Sequence, residues 1–279
     1  MKQLTLFILA LTLTLTAEAI PQKLKLNRFS LNEVEAQKYD FEGIVKLNNC
    51  SGSLVILENQ PLSSKAMVMT NGHCLGFKDF LKPGQVLQNY AVTRAMSVYD
   101  KDFKLHPLRA TKVLYATMTN TDLTLYELSE SYDDIFKRTN ISPLTIESSP
   151  ATAGLKIDII SGYWDRGYSC SIDAVVPKLK EGDWFFKDSL RYTKECNTIG
   201  GTSGSPIILK GTRSVIAINN TGNEGGTNCT IGNPCEVKPN GDVQAYKGIN
   251  YGQQINDIYG CINPDFNIDL SLDTCLLPK

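Results

Sequence analysis

The sequence predicts an all-β protein in two halves, each closing its own sheet. Short apolar runs of strand length recur between residues 41 and 218, and Gly, Asn, Asp and Pro separate them. Helical periodicity is confined to two short stretches, so the strand–helix alternation of a parallel α/β sheet is missing. The 279 residues are 42% hydrophobic, enough for one large core or two modest ones.

Residues 1–19 read as a secretory leader: Lys2 supplies the positive end, residues 4–15 are rich in Leu and Thr, and Ala17-Glu18-Ala19 fits a cleavage site. The apolar stretch is too short for a membrane span, which needs about 20 apolar residues. Export follows, with a mature chain beginning near Ile20 and no membrane attachment afterwards. Residues 20–40 are polar and mixed, an N-terminal arm or pro-segment. A first barrel or sandwich is expected over 41–135, with strands at 43–47, 52–57, 66–70, 112–115 and 122–126. A helix is expected over 130–138. Residues 136–150 carry Pro143 and Pro150 and read as a connection between the halves. The second sheet is expected over 151–260, from a strand at 155–160 to one at 215–218. A short helix over 251–259 closes it, where Ile255, Ile258 and Tyr259 share a face. Residues 261–279 form a tail.

Charge excludes some functions. The chain has 28 basic and 29 acidic residues and no long run of either sign, so no electrostatic grip on nucleic acid or anionic lipid is expected. Eight cysteines, an even count in an exported chain, favour disulfides. There is no CxxC pair and there are only two histidines, His73 and His106, so a zinc site is disfavoured and no metal or cofactor is expected.

Three residues stand in contexts suited to chemistry. His73 follows an apolar strand in Thr70-Asn71-Gly72-His73-Cys74, although an ordinary turn histidine fits the same place. Asp122 opens the strand Asp122-Leu123-Thr124-Leu125-Tyr126; Asp100 and Asp102 are its rivals, in a charged loop less suited to an oriented carboxylate. Ser203 lies in Gly201-Thr202-Ser203-Gly204-Ser205-Pro206, where small residues allow a tight turn and close approach of a substrate, or simply a surface turn. The run is not G-x-S-x-G, and an α/β-hydrolase elbow would also need helices that are missing.

Taken in chain order, His73, Asp122 and Ser203 follow the order of the chymotrypsin triad. Thr70 to Cys74 resembles T-A-A-H-C of the chymotrypsin-like (trypsin-like) serine proteases, Asp122 to Leu125 resembles D-I-A-L, and Gly201 to Pro206 resembles G-D-S-G-G-P. Asn49-Cys50-Ser51-Gly52-Ser53-Leu54-Val55 resembles the family's C-G-G-S-L strand. The likeness spans residues 41–260. It implies two six-stranded antiparallel barrels, a short C-terminal helix and a disulfide-tied tail. It also implies a secreted, monomeric endopeptidase acting on polypeptides through an acyl-enzyme: Ser203 as nucleophile, His73 as base and then acid, Asp122 orienting the imidazole, and the amides of Gly201 and Ser203 as oxyanion hole. A catalytically silent homologue acting as a binding protein, or an esterase on the same scaffold, are the alternatives.

The departures matter as well. Thr202 replaces the family's Asp before the nucleophile, so the ion pair to a freshly cleaved N-terminus is not expected. The G-T-S-G-S-P form is closer to bacterial glutamyl-endopeptidase-like members. Counting back from Ser203 places Asn197 at the base of the specificity pocket, where Asn197, Thr198 and Asn219 suggest a neutral polar lining; the pocket-wall histidine of glutamyl endopeptidases would fall near Ala217. The resemblance pairs Cys50 with Cys74. Proximity along the chain suggests Cys170 with Cys196, Cys229 with Cys235, and Cys261 with Cys275.

Overall fold

The computed structural model describes residues 38–279. The leader expected over 1–19 and the arm up to residue 37 lie outside the described residues. Among the described residues no helix is long and apolar enough to cross a membrane.

The first half contributes β1 (Ile44–Lys46), β2 (Ser51–Ile56), β3 (Lys65–Thr70), β4 (Val86–Tyr99), β5 (Leu105–Thr117) and β6 (Leu123–Ser131). Antiparallel pairing runs β1–β2–β3–β6–β5–β4 and returns from β4 to β1, so the sheet closes on itself. The closing contact is short, Val45 against Val98 and Lys46 against Ser97. β2 is buried along its whole length, and β3 everywhere but Lys65, which is why unbroken apolar runs stand at 54–56 and 66–69. β4 left no such run: it is solvent-facing over most of its first half and carries Gln88, Asn89, Thr93 and Arg94. Only the end of β5 was legible for the same reason.

Helix α1 (Tyr132–Thr139) follows directly. Ser131 and Asp134 form a reciprocal capping box at its start, and Asn140 ends it in a left-handed conformation with φ 58°. The polar link carries one more strand, β7 (Leu144–Ile146), which pairs in parallel with β2 of the first half.

The second half comprises β8 (Lys156–Ser161), β9 (Arg166–Glu181), β10 (Trp184–Tyr192), β11 (Pro206–Leu209), β12 (Ser214–Gly222), β13 (Cys235–Val237), β14 (Val243–Gln244) and β15 (Asn250–Gln254). β8–β9–β10–β15–β12–β11 and back to β8 is again a closed antiparallel circuit of six strands. The β13–β14 hairpin hangs on β9. β7 also pairs with β12, so one short strand joins both barrels.

The helix expected over 251–259 is corrected. Its first part is β15, and only Asn256–Cys261 is helical, as a 3-10 turn. Tertiary packing explains the difference: a Cβ on Gly252 would fall on the Tyr192 hydroxyl and Ile207, and the strand is paired with β10 on one side and β12 on the other, which supply its hydrogen bonds.

Apolar clusters fill each barrel, one around Leu54, Val68 and Tyr126, the other around Ile157, Tyr192 and Ile207. A third runs between them and joins Ile44, Val55 and Met69 to Ile160, Val215 and Ile258. Disulfides link Cys50–Cys74, Cys170–Cys196, Cys229–Cys235 and Cys261–Cys275, the last holding the tail against the 3-10 turn.

Candidate active site

The seam between the barrels is where the three chain-distant residues meet. Thr70 ends β3, and residues Gly72–Cys74 make one 3-10 turn that swings His73 to the seam. The turn is possible because position 72 is glycine: a Cβ would strike the Thr117 carbonyl and come within 2.9 Å of the Asp122 carboxylate. Asn71 donates its side-chain amide to the Asp122 carbonyl at 2.8 Å, fixing the start of β6 against the turn. The Cys50–Cys74 bond anchors the next residue.

Asp122 is almost fully buried, 1% exposed, and both its oxygens face His73. Oδ1 accepts the His73 backbone N–H at 3.0 Å and Oδ2 lies 2.6 Å from Nδ1. A carboxylate only accepts, so Nδ1 carries the proton and Nε2 is left as the basic nitrogen. The rivals are elsewhere: Asp100 pairs with His106 at 2.7 Å and accepts the amides of Asp102 and Lys104, a self-contained loop, while Asp102 is exposed.

Two successive turns build the serine loop. Thr202 N–H closes the first onto the Ile199 carbonyl at 3.0 Å, and Ser205 N–H the second onto the Thr202 carbonyl at 3.1 Å. Each needs positive φ at its third residue, Gly201 at 90° and Gly204 at 81°. A Cβ on Gly204 would fall on the Ser51 carbonyl and the Thr70 hydroxyl. The first barrel holds the loop down: Ser51 N–H donates to the Ser203 carbonyl at 2.8 Å and Ser51 Oγ to the Gly201 carbonyl at 3.2 Å. Among the described residues, the amide N–H groups of Gly201 and Ser203 have no hydrogen-bond acceptor.

Ser203, His73 and Asp122 line one cleft. In this conformation the Ser203 hydroxyl donates to the Asn220 carbonyl at 3.2 Å and not to His73. Such bonds commonly tighten only once substrate is bound.

The expected specificity residues divide. Thr198 and Asn219 line the cleft, with Thr198 Oγ1 3.4 Å from Asn219 Oδ1. Asn197 is exposed and is not among the residues that line the cleft. Ala217 is also away from the cleft, fully buried in the second barrel and paired with Ile207 and Gln254.

Among the cleft residues that the sequence did not single out is a buried carboxylate. Glu181, at the end of β9, accepts the Gly232 N–H at 2.7 Å and sits in the same cleft as His73. Its carboxyl is raised above the usual range by burial, with the Asp122 charge adding to that against the Gly232 amide, the Thr221 hydroxyl and His73. As one of 29 acidic residues with no neighbouring motif, it carried no signal that could have found it.

Residues 50–218 match the family model of the trypsin-like peptidase domain. No match was found among curated proteins. Among solved structures the chain is similar to the MamO protease domain from Magnetospirillum magneticum, at 12% identity and TM-score 0.47 over 77% of this chain and 93% of that one. It is also similar to Nocardiopsis protease (NAPase), at 14% identity and TM-score 0.45 over 78% and 93%. A third similarity is to a glutamic acid-specific serine protease, at 16% identity and TM-score 0.40 over 76% and 91%.

Proposed function

This chain belongs to the trypsin-like peptidase domain family, and from that premise we propose that it is a secreted serine endopeptidase acting on polypeptides as a monomer. The observation that carries the reading is the meeting of His73, Asp122 and Ser203 in one cleft beside two amides that donate to nothing among the described residues. The Ser203 hydroxyl attacks the peptide carbonyl carbon as its proton passes to His73 Nε2. Asp122 holds the imidazole in the required tautomer and stabilises its cation. The carbonyl oxygen, now negative, takes the N–H groups of Gly201 and Ser203. His73 then returns the proton to the departing amine, and water repeats the sequence in reverse to free Ser203. Four disulfides support an extracellular or periplasmic destination.

The cleft also bears on substrate choice. Glu181 and Glu224 line it, and among the described residues no lysine or arginine does. Acidic side chains are therefore disfavoured near the scissile bond. Cleavage-site profiling on a peptide library is expected to show depletion of Asp and Glu; enrichment of either would remove this part of the proposal.

The principal test is covalent. A fluorophosphonate probe is expected to label Ser203, and Ser203→Ala to abolish both labelling and casein hydrolysis, lowering kcat by roughly 10^4-fold or more. A Ser203→Ala variant that still cleaves casein sinks the mechanism. Turnover of simple esters with no cleavage of any protein would replace endopeptidase by esterase, and absence of both would leave a binding protein.

A further inference from the structure

We propose that Trp164 is a positioning residue for the oxyanion pocket: its indole N–H holds the Gly200–Gly201 peptide in the one orientation that offers the Gly201 amide to a substrate oxygen. The inference rests on the serine-endopeptidase reading and carries it to a side chain outside the triad.

Residues 199–202 form a turn closed at 3.0 Å, with Gly200 and Gly201 at its centre. The φ of 90° at Gly201 makes it type II. Types I and II differ by a half-rotation of the central peptide, here the one joining Gly200 to Gly201. Both flanking residues are glycines, so no Cβ biases the choice. The peptide is planar and trans, so its C=O and N–H point in opposite directions. Rotated to type I, it would present the Gly200 carbonyl where the Gly201 N–H now stands, and a partial negative charge would meet the developing oxyanion.

Something must therefore select the orientation, and one bond does so. Trp164 Nε1 donates to the Gly200 carbonyl at 2.7 Å, and among the described residues that carbonyl has no other donor. The other anchors act on later peptides: Ser51 Oγ on the Gly201 carbonyl and Ser51 N–H on the Ser203 carbonyl. Beneath the loop, the Thr202 side chain is buried with its hydroxyl unpartnered, so that side chain supplies no ionic or hydrogen-bonded anchor.

Trp164 is itself well placed for this. Its backbone N–H donates to Ser161 Oγ at 3.2 Å, and Ser161 Oγ lies 2.9 Å from Ser51 Oγ. The β8–β9 turn and the first barrel thus hold the loop through one hydroxyl chain, and the Trp164 ring meets Tyr163 edge-on at 4.9 Å. Trp164 as a residue is 41% exposed, so its hydrogen bond can be removed with little loss of core burial.

Two variants of the full chain test the inference: Trp164→Phe, and replacement of Trp164 by 3-benzothienylalanine, which keeps the bicycle and substitutes sulfur for N–H. For both, kcat on a peptide amide is expected to fall about five- to tenfold, with KM within about twofold and Tm unchanged. Affinity for a peptide aldehyde, whose adduct places an oxygen in the pocket, falls by the same factor. Affinity for a non-reactive peptide of the same sequence does not change. A benzothienyl variant with wild-type kcat and aldehyde affinity overturns the proposal. So does one whose activity loss is matched by a lowered Tm, because the ring would then act by packing. A wild type that neither labels nor turns over removes the endopeptidase reading and this inference with it, whereas an active wild type with unaffected variants removes this inference alone.

Discussion

At the scale of single residues, His73 is pulled two ways. Burial disfavours its cation, but the Asp122 carboxylate, by charge and by hydrogen bond, together with the Glu181 charge, outweighs burial and raises the pKa above the ordinary 6.5. Base catalysis needs the neutral ring, so kcat/KM is expected to rise with pH through a midpoint above 6.5. A flat profile across that range counts against His73 as base. Stability runs the other way: a raised folded pKa adds stability that is complete below the unfolded value and is lost as pH climbs through the folded one. Glu181→Gln removes one of the charges that raise His73, so its activity midpoint is expected at lower pH than the wild type's; an unmoved midpoint would mean that Glu181 does not act on the ring. The loop glycines are equally specific in their demands. Gly204→Ala combines positive φ with a Cβ driven onto the Ser51 carbonyl, and is expected to cost more than about 2 kcal/mol in denaturant unfolding and to abolish probe labelling.

At the scale of elements, the long β9–β10 hairpin and the loop beside it shape one wall of the cleft. Gly182 N–H donates to the Cys229 carbonyl at 2.7 Å, Cys235 pairs with Lys180, and Gly232 caps Glu181. The Cys229–Cys235 disulfide closes this loop over a separation of only 6 residues, against 26 for Cys170–Cys196. Chain entropy then assigns it about 2 kcal/mol and the longer link about 3.5 kcal/mol. Replacing Cys229 and Cys235 together by serine is expected to lower Tm less than replacing Cys170 and Cys196. It should nevertheless raise KM, because Ile231 and Gly232 leave the cleft wall. An unchanged KM would show that the loop takes no part in binding.

At the scale of the whole molecule, the two barrels do not meet as separate bodies. The cluster joining Ile44, Val55 and Met69 to Val215 and Ile258 lies between them. β7 pairs with a strand of each, and Arg213 from the second barrel donates to the carbonyls of Glu42 and Ser142. A shared core couples their stabilities, so calorimetry is expected to show one unfolding transition. Ile258→Ala should shift that whole transition, at a cost of about 2–5 kcal/mol. Two resolved transitions, with only one moved by the substitution, would show that the barrels fold independently.

The sequence by itself determined the strand-rich class, the two halves and the three residues of the candidate triad. Buried strands write unbroken apolar runs, as at 54–56 and 66–69, and tight turns demand glycine at set places, as at Gly72, Gly201 and Gly204. It did not reveal β4, whose outer face is polar, nor the strand at Asn250–Gln254, whose hydrogen bonds come from partners some 60 and 30 residues away along the chain. Only the tertiary structure decided that Thr198 and not Asn197 reaches the cleft, that Glu181 shares it with His73, and that Trp164 reaches the Gly200 carbonyl. Each of those depends on barrel closure bringing together segments far apart in sequence, and local residue preferences carry no record of such meetings.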